Sequence, residues 1–95
     1  MPRYYRHIRQ GEQQTPDLEG IELPDLDAAR AEAIDGIRDI LAGAVRQGQD
    51  DWLMDAIVIT DSLGQELMIV PFIEALPPSL YRALLNVLSS NSQVP

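Results

Sequence analysis

The sequence predicts an α+β fold in which a four-stranded antiparallel sheet carries a long helix on one face. Two pairs of β-like segments, within residues 3–23 and 56–70, are each joined by turn-forming residues. A helical repeat of apolar residues fills 24–48 between them, and a second amphipathic segment covers 79–90. The predicted element order is therefore β-β-α-β-β-α, with the four strands arranged in the order 2-1-3-4.

The first predicted strand is RYYRHIRQ at residues 3–10, which is rich in β-compatible side chains and lacks glycine and proline. Alternation places Tyr4, Arg6 and Ile8 on one face of this strand. The opposite face then carries Arg3, Tyr5, His7 and Arg9. Neither face is apolar throughout, so the strand alone does not show which side is buried.

The segment GEQQTPDLEG at residues 11–20 has the composition of a turn. GIEL at 20–23 follows as a short second strand, which pairs with the first as a hairpin with a long connection. We expect the arginines of the first strand to form cross-strand charge pairs with Glu19 and Glu22.

The long predicted helix lies within residues 24–48, with Asp25 as its N-cap and Gly48 as its stop. Gly36 and Gly43 lie in its interior, where each costs about 1 kcal/mol relative to alanine. They either let a neighbour pack closely or are tolerated. The apolar stripe of the helix consists of Leu26, Ala29, Ala33, Ile37, Ile40, Leu41 and Ala44.

The second predicted hairpin has strands at 56–60 and 67–70 and a turn, DSLG, at 61–64. Both strands are apolar on both faces, whereas a half-solvated sheet alternates apolar and polar residues. We therefore expect something to cover each face of this hairpin. Pro71 has no N–H to donate, so the last strand ends there or lies at an edge.

The second predicted helix covers residues 79–90, after the break made by two prolines, with Ser79 as its cap. Its apolar stripe is broader than a solvated helix needs, so it packs on its own sheet, mediates dimerisation or docks on a foreign partner. This candidate interaction helix presents Leu80, Tyr81, Leu84, Leu85 and Leu88.

Ninety-five residues predict a single domain at 1–76, followed by a C-terminal helix within 77–90 and a frayed tail at 91–95.

The net charge of −8 disfavours nucleic acid as a partner and is more compatible with a basic protein. The absence of cysteine excludes disulfides and thiolate chemistry. The sequence shows no signal peptide and no membrane span, so we expect a cytoplasmic protein.

The candidate surface site combines Tyr5, His7 and Arg9 of the first strand with Asp17 and Glu19 of the following turn. His7 is either a general base or a structural histidine bonded to a neighbouring carbonyl or carboxylate, and the sequence favours the structural interpretation. The acids beside Gly20 either bind a hard cation or shape the turn. One histidine without cysteine does not make a common zinc site, so we expect no metal and no cofactor.

Five short motifs occur along the chain at intervals: MPRYYRHI (1–8), DLEGIELPD (17–25), ARAEA (29–33), ITDSLG (59–64) and VPF (70–72). Together they resemble the motifs of a bacterial family of short proteins known only as a domain of unknown function. The resemblance covers about residues 1–76 and implies a fold, but no chemistry. The β-β-α opening is also distantly similar to HicB-type antitoxin domains, an analogy of fold that does not carry function.

The sequence contains no recognisable catalytic constellation, which predicts a protein that is not an enzyme. DSLG lacks the context of a nucleophile elbow, and a phosphate-binding loop cannot occur without lysine. The favoured interpretation is a binding or regulatory module that self-associates as a homodimer. One alternative is an antitoxin-like acidic protein that masks a basic partner, and another is a small enzyme that uses His7 with a carboxylate.

Overall fold

A computed structural model describes residues 1–49, 51–83 and 86 of the chain and confirms the α+β class. A short 3₁₀ helix covers Phe72–Ala75. Residues 78–83 and 86 are also helical, and this segment is called the C-terminal helix. The other elements are β1 (Arg3–Gln10), β2 (Gln13–Thr15), β3 (Ile21–Glu22), α1 (Leu26–Arg46), β4 (Ala56–Thr60) and β5 (Glu66–Pro71).

Strand β1 is the central element of the antiparallel sheet because it pairs with three other strands, along both of its edges. One edge pairs with β4, with Tyr5 opposite Thr60, and β4 pairs in turn with β5. The other edge is divided between β2, where Ile8 faces Thr15, and β3, where Tyr4 faces Ile21. The order β2-β1-β4-β5, with β3 also on β1, keeps the predicted arrangement and adds one strand.

The added strand β2 corrects the prediction that residues 11–20 form only a turn. Gly11 adopts a φ of 63° and reverses the chain, and QQT then runs back along β1. All three residues of β2 are exposed, so the segment has no apolar side chain whose alternation could have revealed it.

Helix α1 begins where the sequence predicted, because the Asp25 carboxylate accepts a hydrogen bond of 2.8 Å from the Ala28 amide. The chain leaves the helix through Gln47 and through Gly48, whose φ is 71°. Its buried stripe lies against β1, β4, β5 and the 3₁₀ helix and consists of Ala29, Ala33, Ile34, Ile37, Leu41 and Ala44.

The face of the sheet that packs on α1 is called the core face. It includes Tyr4, Ile8, Ile57, Ile59 and Val70, which join Phe72 of the 3₁₀ helix in one apolar cluster. Because Tyr4 is buried here, the face of β1 that the sequence left undecided is settled.

The opposite side of the sheet is called the open face. Its strand residues are Arg3, Tyr5, His7 and Arg9 of β1, Ala56, Val58 and Thr60 of β4, and Leu67, Ile69 and Pro71 of β5. Val58 is only 1% exposed, but Leu67 is 37% and Ile69 49% exposed. The expectation that both faces of the second hairpin are covered therefore holds for the core face and fails for β5 on the open face.

The C-terminal helix begins at residue 78, because the Pro77 carbonyl accepts a hydrogen bond of 2.9 Å from the Tyr81 amide. Pro77 rather than Ser79 thus precedes the first turn, and proline suits the next position since it needs no amide donor there. Leu80 is 47% exposed, and Tyr81 is half-buried. The other predicted interface residues, Leu84, Leu85 and Leu88, and the tail at 91–95 lie outside the described residues.

Within the described ranges, no helix is both long and apolar enough to cross a membrane.

We expect Ile59→Val to lower the free energy of unfolding by about 0.5–1.5 kcal/mol, because Ile59 is fully buried on the core face. Leu63→Val also removes one methylene group, but from a side chain that is 91% exposed, so it serves as the control and should cost less than about 0.5 kcal/mol. Urea denaturation measures both. Equal losses would mean that the burial of Ile59 does not determine the cost of its truncation.

Candidate functional site

His7 lies on the open face of β1 with both ring nitrogens hydrogen-bonded. Its Nδ1 accepts from the backbone N–H of Asp17 at 3.0 Å, and its Nε2 lies 3.0 Å from the Thr60 hydroxyl oxygen. An amide can only donate, so Nδ1 is unprotonated and Nε2 carries the hydrogen that it donates to Thr60. The Tyr5 ring lies nearly parallel to the imidazole, at an interplanar angle of 7° and a centroid distance of 6.4 Å.

The Asp17 carboxylate is the second component of the site and accepts three backbone hydrogen bonds. The donors are the amides of Arg6 at 3.1 Å, Glu19 at 3.2 Å and Gly20 at 3.1 Å. Partial burial acts to raise the pKa of this carboxyl and is the largest single effect. The three hydrogen bonds and the Arg6 charge together outweigh it, so the pKa of Asp17 lies below its ordinary value of 3.8.

Gly20 lets the Asp17 loop approach β1 closely. Its φ is 69°, and an added Cβ would lie 2.8 Å from Cε2 of Tyr5 and 3.0 Å from the Tyr4 carbonyl oxygen. A side chain would therefore force the loop away from the strand in addition to straining its backbone. The glycine allows the three bonds of Asp17 and the bond to His7 to form together.

Tyr5, His7 and Asp17 of the predicted surface site meet in the structure, whereas Glu19 joins them through its backbone. The Glu19 amide donates to Asp17, and its carbonyl oxygen accepts from an Arg3 guanidinium nitrogen at 2.9 Å. In the described part of the chain, no three acidic or histidine side chains are grouped so as to hold a metal ion.

Arg9, the fifth predicted residue, forms an ion pair of 3.4 Å with Glu66. Because β1 and β5 flank β4, this pair crosses β4 over the open face, where Val58 is almost fully buried. Cross-strand pairing was predicted with Glu19 and Glu22, and this is confirmed only for Arg3, which lies 3.3 Å from Glu22.

The remaining arginine of β1, Arg6, departs from that prediction because it points to the core face. Its Nη1 lies 3.7 Å from Glu32 of α1 rather than near an acid of the first hairpin. Its backbone amide nevertheless belongs to the site, since it donates to Asp17 on the strand edge.

The geometry of these groups is that of a structural network. A general base needs a ring nitrogen that is free to accept a proton from a substrate, but the acceptor nitrogen of His7 already receives the Asp17 amide. The Asp17 oxygens are likewise occupied by backbone donors. The network fixes the loop at 16–20 on the edge of β1 and ties β1 to β4 through Thr60.

A protein family described as a domain of unknown function (DUF6894) matches residues 3–73. The chain belongs to the DUF6894 family. The match spans all five strands, α1 and the start of the 3₁₀ helix, so the network around His7 lies inside the DUF6894 region. No curated protein and no solved structure matches the chain. Family membership agrees with the resemblance seen in the sequence motifs, and it assigns no chemistry.

Sequence reasoning missed Thr60 and Asp55. Thr60 contacts His7 only because of the β1–β4 register, which a single sequence does not reveal. Asp55 is 7% exposed at the entrance to β4, and burial raises the pKa of its carboxyl. The side chain of Gln10 acts against this rise, and the charge of Asp51 adds to it.

The other end of the open face is apolar. A cleft of about 410 Å³ opens beside Ile69, which is half exposed, and Met54, which is 88% exposed. Its other lining residues are Arg9, Leu53, Asp55, Ala56, Pro71 and Ile73. The open face thus combines a hydrogen-bonded polar network near Tyr5 with an apolar region on β5 that is exposed to solvent.

We expect His7 to carry its ring hydrogen on Nε2, because Nδ1 accepts from the Asp17 amide. Long-range ¹H–¹⁵N correlation spectra of the imidazole distinguish the two tautomers directly. In Thr60→Val the ring should keep this tautomer, since the Asp17 bond remains. A hydrogen found on Nδ1 in the wild-type protein would show that the Asp17–His7 bond does not form.

We expect Asp17→Asn to lower the free energy of unfolding at neutral pH by about 1–2 kcal/mol, because charge-assisted bonds to backbone amides are lost. The folded-state pKa of Asp17 is depressed, so its ionised carboxylate adds stability above the ordinary value of 3.8. That contribution disappears as the pH falls through the folded-state pKa. Urea denaturation should therefore show the wild type and the variant converging below about pH 4.

The matched control for this series is Glu12→Gln, an exposed carboxyl in the neighbouring turn, which should change stability by less than about 0.5 kcal/mol. A stability gap between wild type and Asp17→Asn that stays constant down to strongly acidic pH would contradict the role given to the ionised Asp17.

Proposed function

We propose that the protein is a non-catalytic module that self-associates through its open face. The observation that supports this most directly is the exposure of Leu67 and Ile69 on the outer strand of an otherwise well-packed sheet. Ile69 also lines the cleft beside Met54, so the apolar surface continues from β5 to the chain segment before β4. Contiguous apolar surface of this kind is typical of an interaction site.

The charge distribution favours a second copy of the chain as the occupant of this surface. The molecule carries a net charge of −8, so two copies repel each other wherever their acidic surfaces meet. On the open face, Arg9 is paired with Glu66 and Arg3 with Glu22, and His7 is held by neutral partners. Two copies that meet through this face therefore avoid the repulsion between their acidic surfaces.

A basic partner is less suited to the same surface. Such a partner would be attracted to free carboxylates, but Glu66 on the strand β5 is already bonded to Arg9. The antitoxin-like interpretation therefore needs a different face of the molecule. Catalysis by His7 is disfavoured in turn, since its acceptor nitrogen is engaged.

Self-association of this kind has a simple geometry. Two open faces related by a two-fold axis would stack sheet on sheet, with their backbones about 10 Å apart and α1 on the outside of each copy. A stable interface of standard size buries about 800 Å² on each partner. The open face supplies residues from three strands, and the adjoining cleft extends that surface.

We expect the 95-residue chain to be dimeric in multi-angle light scattering at micromolar concentration, and Ile69→Glu to be monomeric. The introduced carboxylates would face each other across the two-fold axis and leave charge buried in the interface. Leu63→Glu is the matched control, because Leu63 is 91% exposed in the β4–β5 turn, away from the open face. It should remain a dimer.

A third variant, Leu80→Glu, tests the competing surface on the C-terminal helix. If Leu80→Glu dissociates the dimer while Ile69→Glu does not, the C-terminal helix mediates association and the open-face proposal is wrong. A wild-type chain that stays monomeric at high concentration would refute self-association, and binding of a basic protein by that monomer would support the masking alternative.

A further inference from the structure

The outer edge of β5 is a free edge of the sheet. In the strand order β2-β1-β4-β5, β5 pairs with β4 on one side, and no described strand pairs with it on the other side. The far end of the sheet is formed by β2 and β3, which have only three and two residues, whereas β5 has six. Strand β5 therefore offers the longest unpaired edge among the described elements.

One hydrogen bond shows which backbone groups of β5 point towards β4. The Phe72 amide donates to the Asp55 carbonyl oxygen at 2.8 Å, one step beyond the paired residues Ala56 and Pro71. Because bonded and non-bonded pairs alternate along an antiparallel ladder, the Ala56–Pro71 pair is not hydrogen-bonded. The backbone of Pro71 therefore faces outward, a position that suits a residue with no N–H to donate.

The same alternation directs the backbone of Ile69 outward, since its pair with Val58 is the next non-bonded pair along the ladder. Leu67 follows one step further, beyond Met68. The outer edge thus carries the N–H and C=O groups of Ile69 and Leu67 and the C=O group of Pro71. These groups have no strand partner in the described part of the chain.

The side chains beside this edge favour an apolar ligand. Leu67 and Ile69 lie on the open face and are 37% and 49% exposed. Ile69 and Pro71 also line the apolar cleft of about 410 Å³. The one carboxylate of β5, that of Glu66, reaches across β4 to Arg9. The edge itself therefore presents apolar side chains and unpaired backbone groups rather than free charge.

The usable part of the edge is short. The register of β4 with β5 shifts between Ile59 and Thr60, so Leu67 is the extra residue of a bulge, and Pro71 ends the series of outward donors. A short extended peptide fits between these limits, whereas a long strand would run past both. The net charge of −8 favours a peptide without acidic residues.

We infer that the outer edge of β5 binds an extended peptide segment of another protein, without acidic residues, as an added antiparallel strand. The backbone of the peptide pairs with Leu67, Ile69 and Pro71, and its alternate apolar side chains lie beside Leu67 and Ile69 on the open face. The inference goes beyond the proposed function, in which a second copy covers the open face and leaves this edge free.

A blocked peptide with the sequence RVTVTVR tests this inference on the 95-residue chain. In the free protein, NMR should show fast amide exchange with water at Leu67 and Ile69 and slow exchange at Met68 and Val70. At ten times its dissociation constant the peptide should slow exchange at Ile69 about tenfold, because the amide is then free in about a tenth of the molecules.

A matched peptide that is N-methylated on its valines separates strand addition from apolar contact. The valine side chains lie on the open face in the added strand, so the valine N–H groups face β5. N-methylation keeps these side chains but removes the donors, and should weaken binding about tenfold or more.

Two variants at one position make the same distinction from the side of the protein. Ile69→Pro removes an outward N–H without removing a bond to β4, and should weaken peptide binding about tenfold or more. Ile69→Val keeps the amide and should weaken binding about twofold at most. The dispersion of the ¹⁵N amide spectra shows whether both variants are folded.

Several results would overturn the inference. Slow exchange at Leu67 and Ile69 in the free chain would show that the edge is already covered, by a second copy if the rate depends on protein concentration. Equal binding of the two peptides would show that no strand is added, and the absence of saturable changes would show that the edge binds no such peptide. These measurements have the same meaning for a monomer and for a dimer, so a failure of self-association would leave the inference intact.

Discussion

The rest of the structure depends on how the backbone of β1 is hydrogen-bonded along the edge that faces β2 and β3. Neither of these short strands spans the whole of β1, and Asp17 fills the gap by accepting the Arg6 amide. The same residue donates its own amide to His7, which reaches across β1 to Thr60. One loop residue thus completes one edge of the central strand and orients a side chain that contacts the strand on its other edge.

The two faces of the sheet also differ in how far they are buried. Helix α1 and the 3₁₀ helix bury the core face, where Ile59, Val70 and Phe72 are fully buried. On the open face, β4 is shielded by its own neighbours and by the Arg9–Glu66 pair. Only the outer strand is left with large apolar side chains in solvent. The apolar residues of β4 are therefore buried on both faces of the sheet, whereas those of β5 are buried only on the core face.

The sequence was sufficient to predict the elements that depend on local periodicity and capping. These are the α+β class, the start of α1 at Asp25 and the two strands around DSLG. It failed at β2, whose three exposed polar residues carry no alternation. It also assigned Arg9 to the wrong carboxylate, since Glu66 becomes a neighbour only through the pairing of β1 with β4 and β5. Tyr5, His7 and Asp17 lie together in the structure, but the contact of His7 with Thr60 depends on the same long-range register.

The burial of β4 on both faces has a consequence for the chain before it is fully folded. AIVIT at Ala56–Thr60 is uncharged, free of proline and rich in β-branched residues, the composition of an aggregation-prone segment. Its pairing with β1 places Tyr5 opposite Thr60, although the two residues are far apart along the chain. Non-local pairing of this kind forms slowly, so the strand is exposed until it is made. Asp55 and Asp61 stand immediately before and after the segment. Charged residues that flank such a segment disfavour its aggregation while it is exposed, and Asp55 occupies this position although burial in the folded state raises the pKa of its carboxyl.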